Sequence, residues 1–185
     1  FKVLGTLIYN STLFISYLST EGTCQQFNIV SAEINFINMK FQNFFTSNAC
    51  GSNLNAGRMK IYNHNGQLGL LTTLGGEKLN QPSNQPQDPS SDIGKILFID
   101  LMNKEKVIFS SGHRNPQGLL IEDKIIISTE HGPAGGDEIN KITFGKNYGW
   151  PISSYGKQYN HIQKIIGKKY LKDHSVHGFE EPIYS

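Results

Sequence analysis

The chain has 185 residues, which is enough for one domain with its own hydrophobic core. Charged residues make up 17% of it and hydrophobic residues 37%, a composition that excludes an intrinsically disordered chain and a membrane-embedded one. The formal net charge is +2, and no basic stripe interleaved with aromatic residues indicates a nucleic acid partner. No apolar run approaches the ~18 residues of a membrane span.

Eight short runs rich in Ile, Leu, Val, Phe and Thr predict β-strands. They cover residues 12–18, 27–34, 58–62, 68–74, 95–100, 106–109, 118–121 and 124–128. Turn-forming pairs separate several of these runs and predict antiparallel hairpins. The pairs are Asn65-Gly66, Asn103-Lys104 and Glu122-Asp123. A helical pattern is confined to residues 161–171, where Gly167 weakens it.

A succession of hairpins with glycine-rich corners and no βαβ spacing predicts an all-β domain. On the residues alone, a sandwich, a barrel and a β-propeller all remain open. Propeller blades are about 40 to 50 residues long. A propeller of this length would therefore have roughly four blades.

Residues 75–92 interrupt the rhythm of short strands, because they hold three of the seven prolines and almost no apolar side chain. A connection of this length inside a compact domain is usually either functional or disordered. We expect a Pro-, Ser- and Gln-rich surface loop, mobile or lid-like, within a single domain that covers residues 1–185.

The cysteines and arginines are few enough to be informative. Cys24 and Cys50 could form one disulfide, which would indicate an oxidising compartment; two buried free thiols are the alternative. Their spacing gives no zinc pattern. Only two of the 17 basic residues are arginines, Arg58 and Arg114. Each could occupy a place that needs a planar, bidentate donor, and chance explains the bias equally well.

The stretch of residues 130–150 combines five glycines with three acidic residues. Calcium binds six to eight oxygens, many of them backbone carbonyls, in flexible geometry. Glycine and proline allow carbonyls to point away from a β-ladder. Glu138 can add a carboxylate, and a tight turn at residues 146–149 can add carbonyls. The composition is compatible with a calcium site, and a glycine-rich corner with surface acids is the alternative.

A second polar cluster stands at residues 111–121, where His113, Arg114 and Asn115 precede a predicted strand. The Asn-Pro step favours an extended chain, which would set Arg114 at the mouth of that strand. One hairpin separates this cluster from Glu130, so both stretches should lie at the same end of adjacent strands. A guanidinium, an amide and a possible cation site would together suit an anionic ligand.

Three strings in this region resemble signature sequences of the glucose/sorbosone dehydrogenase family, the sugar dehydrogenases that use pyrroloquinoline quinone (PQQ). They are GHRNPQGL, EHGPAGGDEIN and GKNYGWP, in the family's order and spacing over residues 111–155. The resemblance implies a six-bladed β-propeller of four-stranded antiparallel blades, with PQQ and calcium on its axial face. It also implies oxidation of the C1 hydroxyl of an aldose sugar to a lactone, a separate electron acceptor, and a periplasmic or secreted protein.

The same resemblance implies six site residues on the matching strings. They are Arg114 and Asn115 as PQQ contacts, the carbonyls of Gly132 and Pro133 as ligands of the PQQ-bound calcium, and the Glu138 carboxylate and Tyr148 carbonyl as ligands of a second calcium. The resemblance thus gives the glycines of this stretch a role, because they free the carbonyls for a cation.

The chain departs from the family at the catalytic base. In the family, the histidine of an H-x-x-G-R string takes the proton from the sugar C1 hydroxyl, whereas this chain reads LNAGR and has Leu54 at that position. A leucine cannot accept a proton, so the catalytic residue is left unassigned. His64 should point away from the site, and His113 and His131 match family positions outside the base role.

The chain also departs from the family in length. Six blades of about 40 residues need well over 240 residues, so we expect an incomplete or shortened member. The missing histidine supports an alternative of a different class, a non-catalytic, calcium-stabilised propeller that binds a carbohydrate or a protein partner. The pair His174 and His177 lies in a polar loop, where metal binding is not expected without further ligands.

Overall fold

The computed structural model describes residues 1–76, 84–157 and 170–185. These residues form three antiparallel β-sheets whose strands are neighbours in chain order. The first sheet contains β1 (Lys2–Tyr9), β2 (Thr12–Glu21), β3 (Cys24–Glu33) and β4 (Gln42–Gly51). The second contains β5 (Leu54–His64), β6 (Gln67–Gly76), β7 (Lys95–Asp100) and β8 (Lys106–Ser111). The third contains β9 (Pro116–Glu122), β10 (Ile125–Glu130) and β11 (Glu138–Lys141).

The second sheet is buried on both faces. Successive side chains of a strand point to opposite faces, so Leu70 of β6 packs into a core shared with the first sheet, and Leu71 packs into a core shared with the third. Strand β7 repeats the arrangement with Leu97 and Phe98. This double burial explains why the sequences of β6 and β7 read as continuous apolar runs.

The first strands of the three sheets form an inner row, in which β5 contacts both β1 and β9. Arg58 of β5 joins all three sheets, because its Nη1 donates to the Leu4 carbonyl and its Nε to the Gln117 carbonyl, each at 2.7 Å. Sheets that share an inner row and pack face to face are arranged as propeller blades. The predicted all-β class with antiparallel blades is confirmed, and the first two sheets have the four strands expected of a blade.

Length alone predicted about four blades, whereas the described residues form three sheets, of four, four and three strands. Beyond Lys141 these residues form turns, isolated bridges and one turn of 3₁₀ helix, His174–His177. The helix predicted at residues 161–171 lies, except for its last two positions, outside the described residues.

Local features agree with the sequence at the first hairpin of the second sheet and at the cysteines. Asn65 and Gly66 connect β5 to β6 with φ of 53° and 89°, a turn that suits the right-handed twist of the paired strands. Cys24 and Cys50 are joined by a disulfide with a Cα–Cα distance of 5.5 Å. The bond ties the start of β3 to the end of β4. Of the two alternatives left open by the sequence, the disulfide is confirmed.

The described part of the Pro-, Ser- and Gln-rich loop, residues 84–92, is held against the sheets. Lys95 Nζ donates to the Pro86 carbonyl at 2.9 Å. The buried Asp92 carboxylate accepts the Asn48 N–H at 2.8 Å, so the loop also reaches the first sheet. Buried polar groups of the sheets thus take hydrogen-bond partners from residues 84–92. Residues 77–83 of the loop lie outside the described residues, and the expectation of a mobile or lid-like loop stays a prediction.

Candidate cofactor and cation site

The two polar segments singled out in the sequence meet at one end of the third sheet. Arg114 and Asn115 directly precede β9, and β10 ends at Glu130. In the antiparallel register, Glu130 pairs with Pro116 on one side and with Glu138 on the other. The prediction that one hairpin brings both segments to the same end of adjacent strands is confirmed.

A small cavity lies between these segments and the turn at residues 147–150. Its volume is about 240 Å³ including a part open to solvent, and the enclosed part has room for roughly one water-sized atom. Five of the six implied site residues line it, with Glu130, His131 and Trp150 beside them; the five are Arg114, Gly132, Pro133, Glu138 and Tyr148.

Asn115 is the implied site residue that does not line the cavity. Its Oδ1 accepts a hydrogen bond from Gln117 Nε2 at 2.8 Å, and its carbonyl accepts the His131 N–H at 3.1 Å. Asn115 therefore ties the start of β9 to the segment that follows β10.

Glu130 belongs to a buried hydrogen-bonded chain behind the cavity. Ser110 Oγ lies 2.7 Å from His113 Nε2, and His113 Nδ1 lies 2.6 Å from Glu130 Oε1. The other carboxylate oxygen accepts the Arg114 N–H at 3.0 Å. Burial raises the pKa of Glu130, but His113, the Arg114 amide and Asn140 together outweigh it and hold the pKa below its usual value. Ser110 and His113 do not line the cavity. Their hydrogen bonds therefore serve to orient the Glu130 side chain.

Glu138 is the second carboxylate that lines the cavity. Its side chain is 13% exposed. Burial, followed by repulsion from Glu130, raises its pKa to about 8. Asn140 Nδ2 bridges the two carboxylates, at 3.0 Å from Glu130 Oε1 and 3.1 Å from Glu138 Oε2. The neutral Asn140 amide offsets little of the free-energy cost of holding two ionised carboxylates close together away from water. The pair therefore favours binding either a proton or a cation.

His174 stands behind Glu138 and was not expected at the site. Its Nε2 lies 4.0 Å from Glu138 Oε1, and Tyr155 stacks on its ring with centroids 4.8 Å apart. The side chain is 1% exposed. The polar surroundings of His174 in the sequence gave no signal of this burial.

The glycines of the stretch after β10 allow a tightly folded turn. Gly135 and Gly136 have φ of 91° and 66°, and a Cβ at Gly132 would collide with the Gly136 carbonyl. Arg114 Nη1 donates to the carbonyls of His131 and Gly132 at 2.7 and 3.1 Å. The guanidinium also lies 5.3 Å from the ring centre of Trp150, a cation–π distance. Arg114 thus fixes the turn to the wall of the cavity.

Leu54, at the position of the family's base, is buried in a core, and the histidines discussed in the sequence analysis lie elsewhere. Leu54 is 2% exposed within the first core. His64 packs against the rings of Phe98, Phe109 and Phe144, as expected for a residue that points away. His131 lines the cavity with a 61% exposed side chain, and its Nδ1 lies 3.4 Å from Asp137 Oδ2.

Within residues 1–76, 84–157 and 170–185, no group of three or more His, Cys, Asp or Glu side chains is arranged to hold a metal ion. A cation in this cavity would therefore combine Glu138 with backbone carbonyls and water. That is an oxygen ligand set of the kind calcium accepts, and it lacks the nitrogen and sulfur ligands of zinc. No helix in the described part of the chain is long and apolar enough to cross a membrane.

Comparison with known proteins connects this site to a family. The family model described as Glucose / Sorbosone dehydrogenase matches residues 7–185. The aldose sugar dehydrogenase YliI of Escherichia coli (strain K12) is 40% identical over 89 residues, which are 47% of this chain and 23% of that protein.

Two solved structures resemble most of the chain. The soluble aldose sugar dehydrogenase of Escherichia coli in the apo-form superposes with a TM-score of 0.74 and 25% identity, over 94% of this chain and 53% of that one. The PQQ-bound aldose sugar dehydrogenase of Streptomyces coelicolor superposes with a TM-score of 0.60 and 25% identity, over 78% of this chain and 45% of that one.

The chain spans about half the length of these solved structures, and its match covers about a quarter of the curated relative. The family match, in contrast, covers nearly all of this chain, and the three sheets reproduce part of the relatives' propeller. The chain belongs to the glucose/sorbosone dehydrogenase family.

Proposed function

We propose that this chain is part of a dehydrogenase that oxidises the C1 hydroxyl of an aldose sugar to the lactone, with PQQ as the electron-accepting cofactor and with bound calcium. Family membership supports the reaction, and relatives named as aldose sugar dehydrogenases support the substrate class. The observation that carries the proposal is the half-buried Glu138 carboxylate, which lines with Tyr148 a cavity that has room for one small ion.

Calcium fits the groups that line the cavity. A divalent cation next to Glu138 would offset both its burial and its repulsion from Glu130. Glu138 and the Tyr148 carbonyl would hold this ion, and the carbonyls of Gly132 and Pro133 would hold the calcium bound to PQQ. The Gly132 carbonyl already accepts Arg114 Nη1, but a carbonyl has two lone pairs and can serve both partners.

The positive charge of Arg114 suits the carboxylates of PQQ, but the cavity is too small to hold the quinone. Pockets for small molecules usually measure about 300 to 1,000 Å³, which exceeds the volume of the cavity. The quinone would therefore lie outside it and contact Arg114, whose planar guanidinium suits a carboxylate. Asn115 would add an amide at the same strand entry. When bound, PQQ supplies the two-electron acceptor of the reaction.

Removal of the proton from the C1 hydroxyl is the step for which this chain lacks the family's histidine base. Oxidation to the lactone removes a hydride from C1 and a proton from its hydroxyl, and a positioned base contributes ~10²–10⁴-fold. Leu54 cannot provide it. His131 borders the cavity and is oriented by Asp137. We therefore expect either slow turnover or turnover that depends on His131.

The buried Leu54 also supports the second candidate, a calcium-stabilised propeller that binds a carbohydrate or a protein partner without oxidising it. Such a protein would keep Glu138 and the glycine-rich turn for stability. It would show calcium-dependent thermal stability and no sugar turnover.

The proposed enzyme also requires a separate electron acceptor, and we place it in the periplasm or outside the cell. The Cys24–Cys50 disulfide supports this compartment, because structural disulfides persist in oxidising surroundings.

The proposed function is tested with a protein that carries this chain, mixed with calcium and PQQ. The absorbance of PQQ is followed first on mixing and then on addition of a panel of aldoses. Binding followed by reduction of the quinone supports the dehydrogenase, and loss of reduction in His131→Gln identifies the base. Binding without reduction supports the non-catalytic propeller. Absence of PQQ binding in the presence of calcium contradicts the dehydrogenase and favours the calcium-stabilised propeller.

A further inference from the structure

We propose that Gln87 is a positioning residue of the candidate site. It fixes the turn at residues 147–150, whose Tyr148 and Trp150 line the cavity; under the proposed function the Tyr148 carbonyl is the calcium ligand of this turn. The inference rests on the proposed function for the identity of the ligand, calcium, and on the contacts of this structure for everything else. In the sequence, Gln87 is one of several glutamines in a polar, proline-rich loop.

The Gln87 amide makes three hydrogen bonds to this turn. Its Nε2 donates to the Trp150 carbonyl at 2.6 Å and to Asn147 Oδ1 at 3.2 Å, and its Oε1 accepts from Asn147 Nδ2 at 2.6 Å. Because the pairing of the two amides is reciprocal, it fixes the orientation of both side chains. Asn147 Oδ1 also accepts the Gly149 N–H at 3.0 Å, so the orientation is passed to the backbone of the turn.

The opposite side of the turn is held by the chain at the end of β8. The Tyr148 N–H donates to the Ser111 carbonyl at 2.9 Å, and the Trp150 N–H donates to the Gly112 carbonyl at 3.0 Å. Between them, Gly149 has φ of 88°, a conformation that glycine adopts readily and other residues rarely. The end of β8 therefore holds the N–H groups of Tyr148 and Trp150, and Gln87 holds the Trp150 carbonyl.

Gln87 can position the turn because its own segment is fixed. The carbonyl of the preceding residue, Pro86, accepts the Gly112 N–H at 3.0 Å and Lys95 Nζ at 2.9 Å. Lys95 is 1% exposed, so this anchor is itself buried. The effect of Gln87 also extends to the proposed PQQ contact, because the Trp150 ring lies against Arg114.

Removal of a group that orients a metal ligand typically weakens metal binding by about 10- to 100-fold. The test compares Gln87→Leu with Ser90→Ala, a control in the same segment whose Oγ bonds Asp88 at 2.7 Å. The 185-residue chain has one tryptophan, so its fluorescence reports Trp150 alone. Calcium chloride is titrated into each protein, and unfolding by urea is measured without calcium.

We expect Gln87→Leu to weaken calcium binding by about 10- to 100-fold and to shift the calcium-free Trp150 emission to longer wavelength. Ser90→Ala should change neither. Gln87→Asn, which keeps the amide but is one methylene too short for both partners, should weaken calcium binding in the same direction. It gives the decisive result if the leucine variant does not fold.

Two results would overturn the inference. One is a lower urea midpoint with unchanged calcium affinity, which means that Gln87 contributes to the fold alone. The other is an unchanged Trp150 emission, which means that the turn keeps its place without Gln87. Absence of calcium binding by the wild-type protein would instead contradict the proposed function, and the calcium-free emission would then decide the positioning of the turn.

Discussion

The half-buried Glu138 carboxylate gives a prediction whose sign reverses when calcium is added. Its pKa is raised from 4.5 to about 8, first by burial and then by Glu130. Each pKa unit corresponds to about 1.4 kcal/mol. Ionisation of Glu138 in the folded, calcium-free protein therefore costs roughly 5 kcal/mol. The side chain is only 13% exposed, so solvent screens little of this cost.

The raised pKa determines how stability changes with pH. In the unfolded chain Glu138 loses its proton near its ordinary pKa of 4.5, whereas in the folded protein it keeps the proton up to about pH 8. Between these values the folded state binds more protons, so the free energy of unfolding falls as the pH rises. The contribution is complete below the lower pKa and is lost as the pH rises through the higher one.

Glu138→Gln removes this dependence, because the amide is neutral at every pH. Without calcium, the variant should be more stable than the wild type at about pH 8, by up to roughly 5 kcal/mol, and should approach it near pH 5. With calcium the order should reverse, because the wild type gains a carboxylate ligand and the variant does not.

The assay is unfolding by urea at both pH values, with a chelator and with calcium. Glu33→Gln, at the exposed end of β3, is the matched control and should follow the wild type throughout. If Glu138→Gln is no more stable than the wild type at about pH 8 without calcium, the burial argument fails. If calcium stabilises both proteins equally, Glu138 is not a ligand.

Three further predictions concern other residues. Leu54→His should lower the free energy of unfolding by roughly 2–4 kcal/mol, because it buries a polar ring in the first core, and it should not increase sugar turnover; increased turnover would show that the base position alone limits the reaction. Arg114→Lys should weaken PQQ binding by about tenfold in an absorbance titration, because an ammonium cannot replace a bidentate guanidinium, whereas Arg58→Lys should lower stability and leave that affinity unchanged. Replacement of Cys24 and Cys50 by serine should lower the free energy of urea unfolding by roughly 3–4 kcal/mol on the chain-entropy estimate, given their separation of 26 residues; an unchanged midpoint would mean that the bond does not constrain the unfolded chain.

The eight predicted strands are present because their apolar residues lie in one of the two cores or beside one. Strands β1, β4 and β11 were not predicted. Strand β1 (KVLGTLIY) has the composition of a strand, whereas β4 and β11 carry weak signals. Strand β4 (QNFFTSNACG) is largely polar, and β11 (EINK) has four residues and two charges. Their pairing with neighbouring strands, and not their composition, makes them strands.

The candidate site was predictable where its parts are close in sequence. Arg114 and Glu130 are separated by one hairpin, so antiparallel pairing brings them together. Gln87 and Asn147 are 60 positions apart, and their contact depends on how the loop lies across the sheets, which no local pattern encodes. His174 was missed for the same reason, because its burial comes from Tyr155 and Glu138.

The measurement that tests the central claim most directly is a crystal structure of the protein grown with calcium and PQQ, with anomalous scattering used to locate the cation. We predict a calcium ion within about 2.3–2.6 Å of the Glu138 carboxylate and the Tyr148 carbonyl, and a quinone carboxylate on Arg114. A structure in which the cavity holds no cation and Glu138 is hydrogen bonded to His174 would contradict the account.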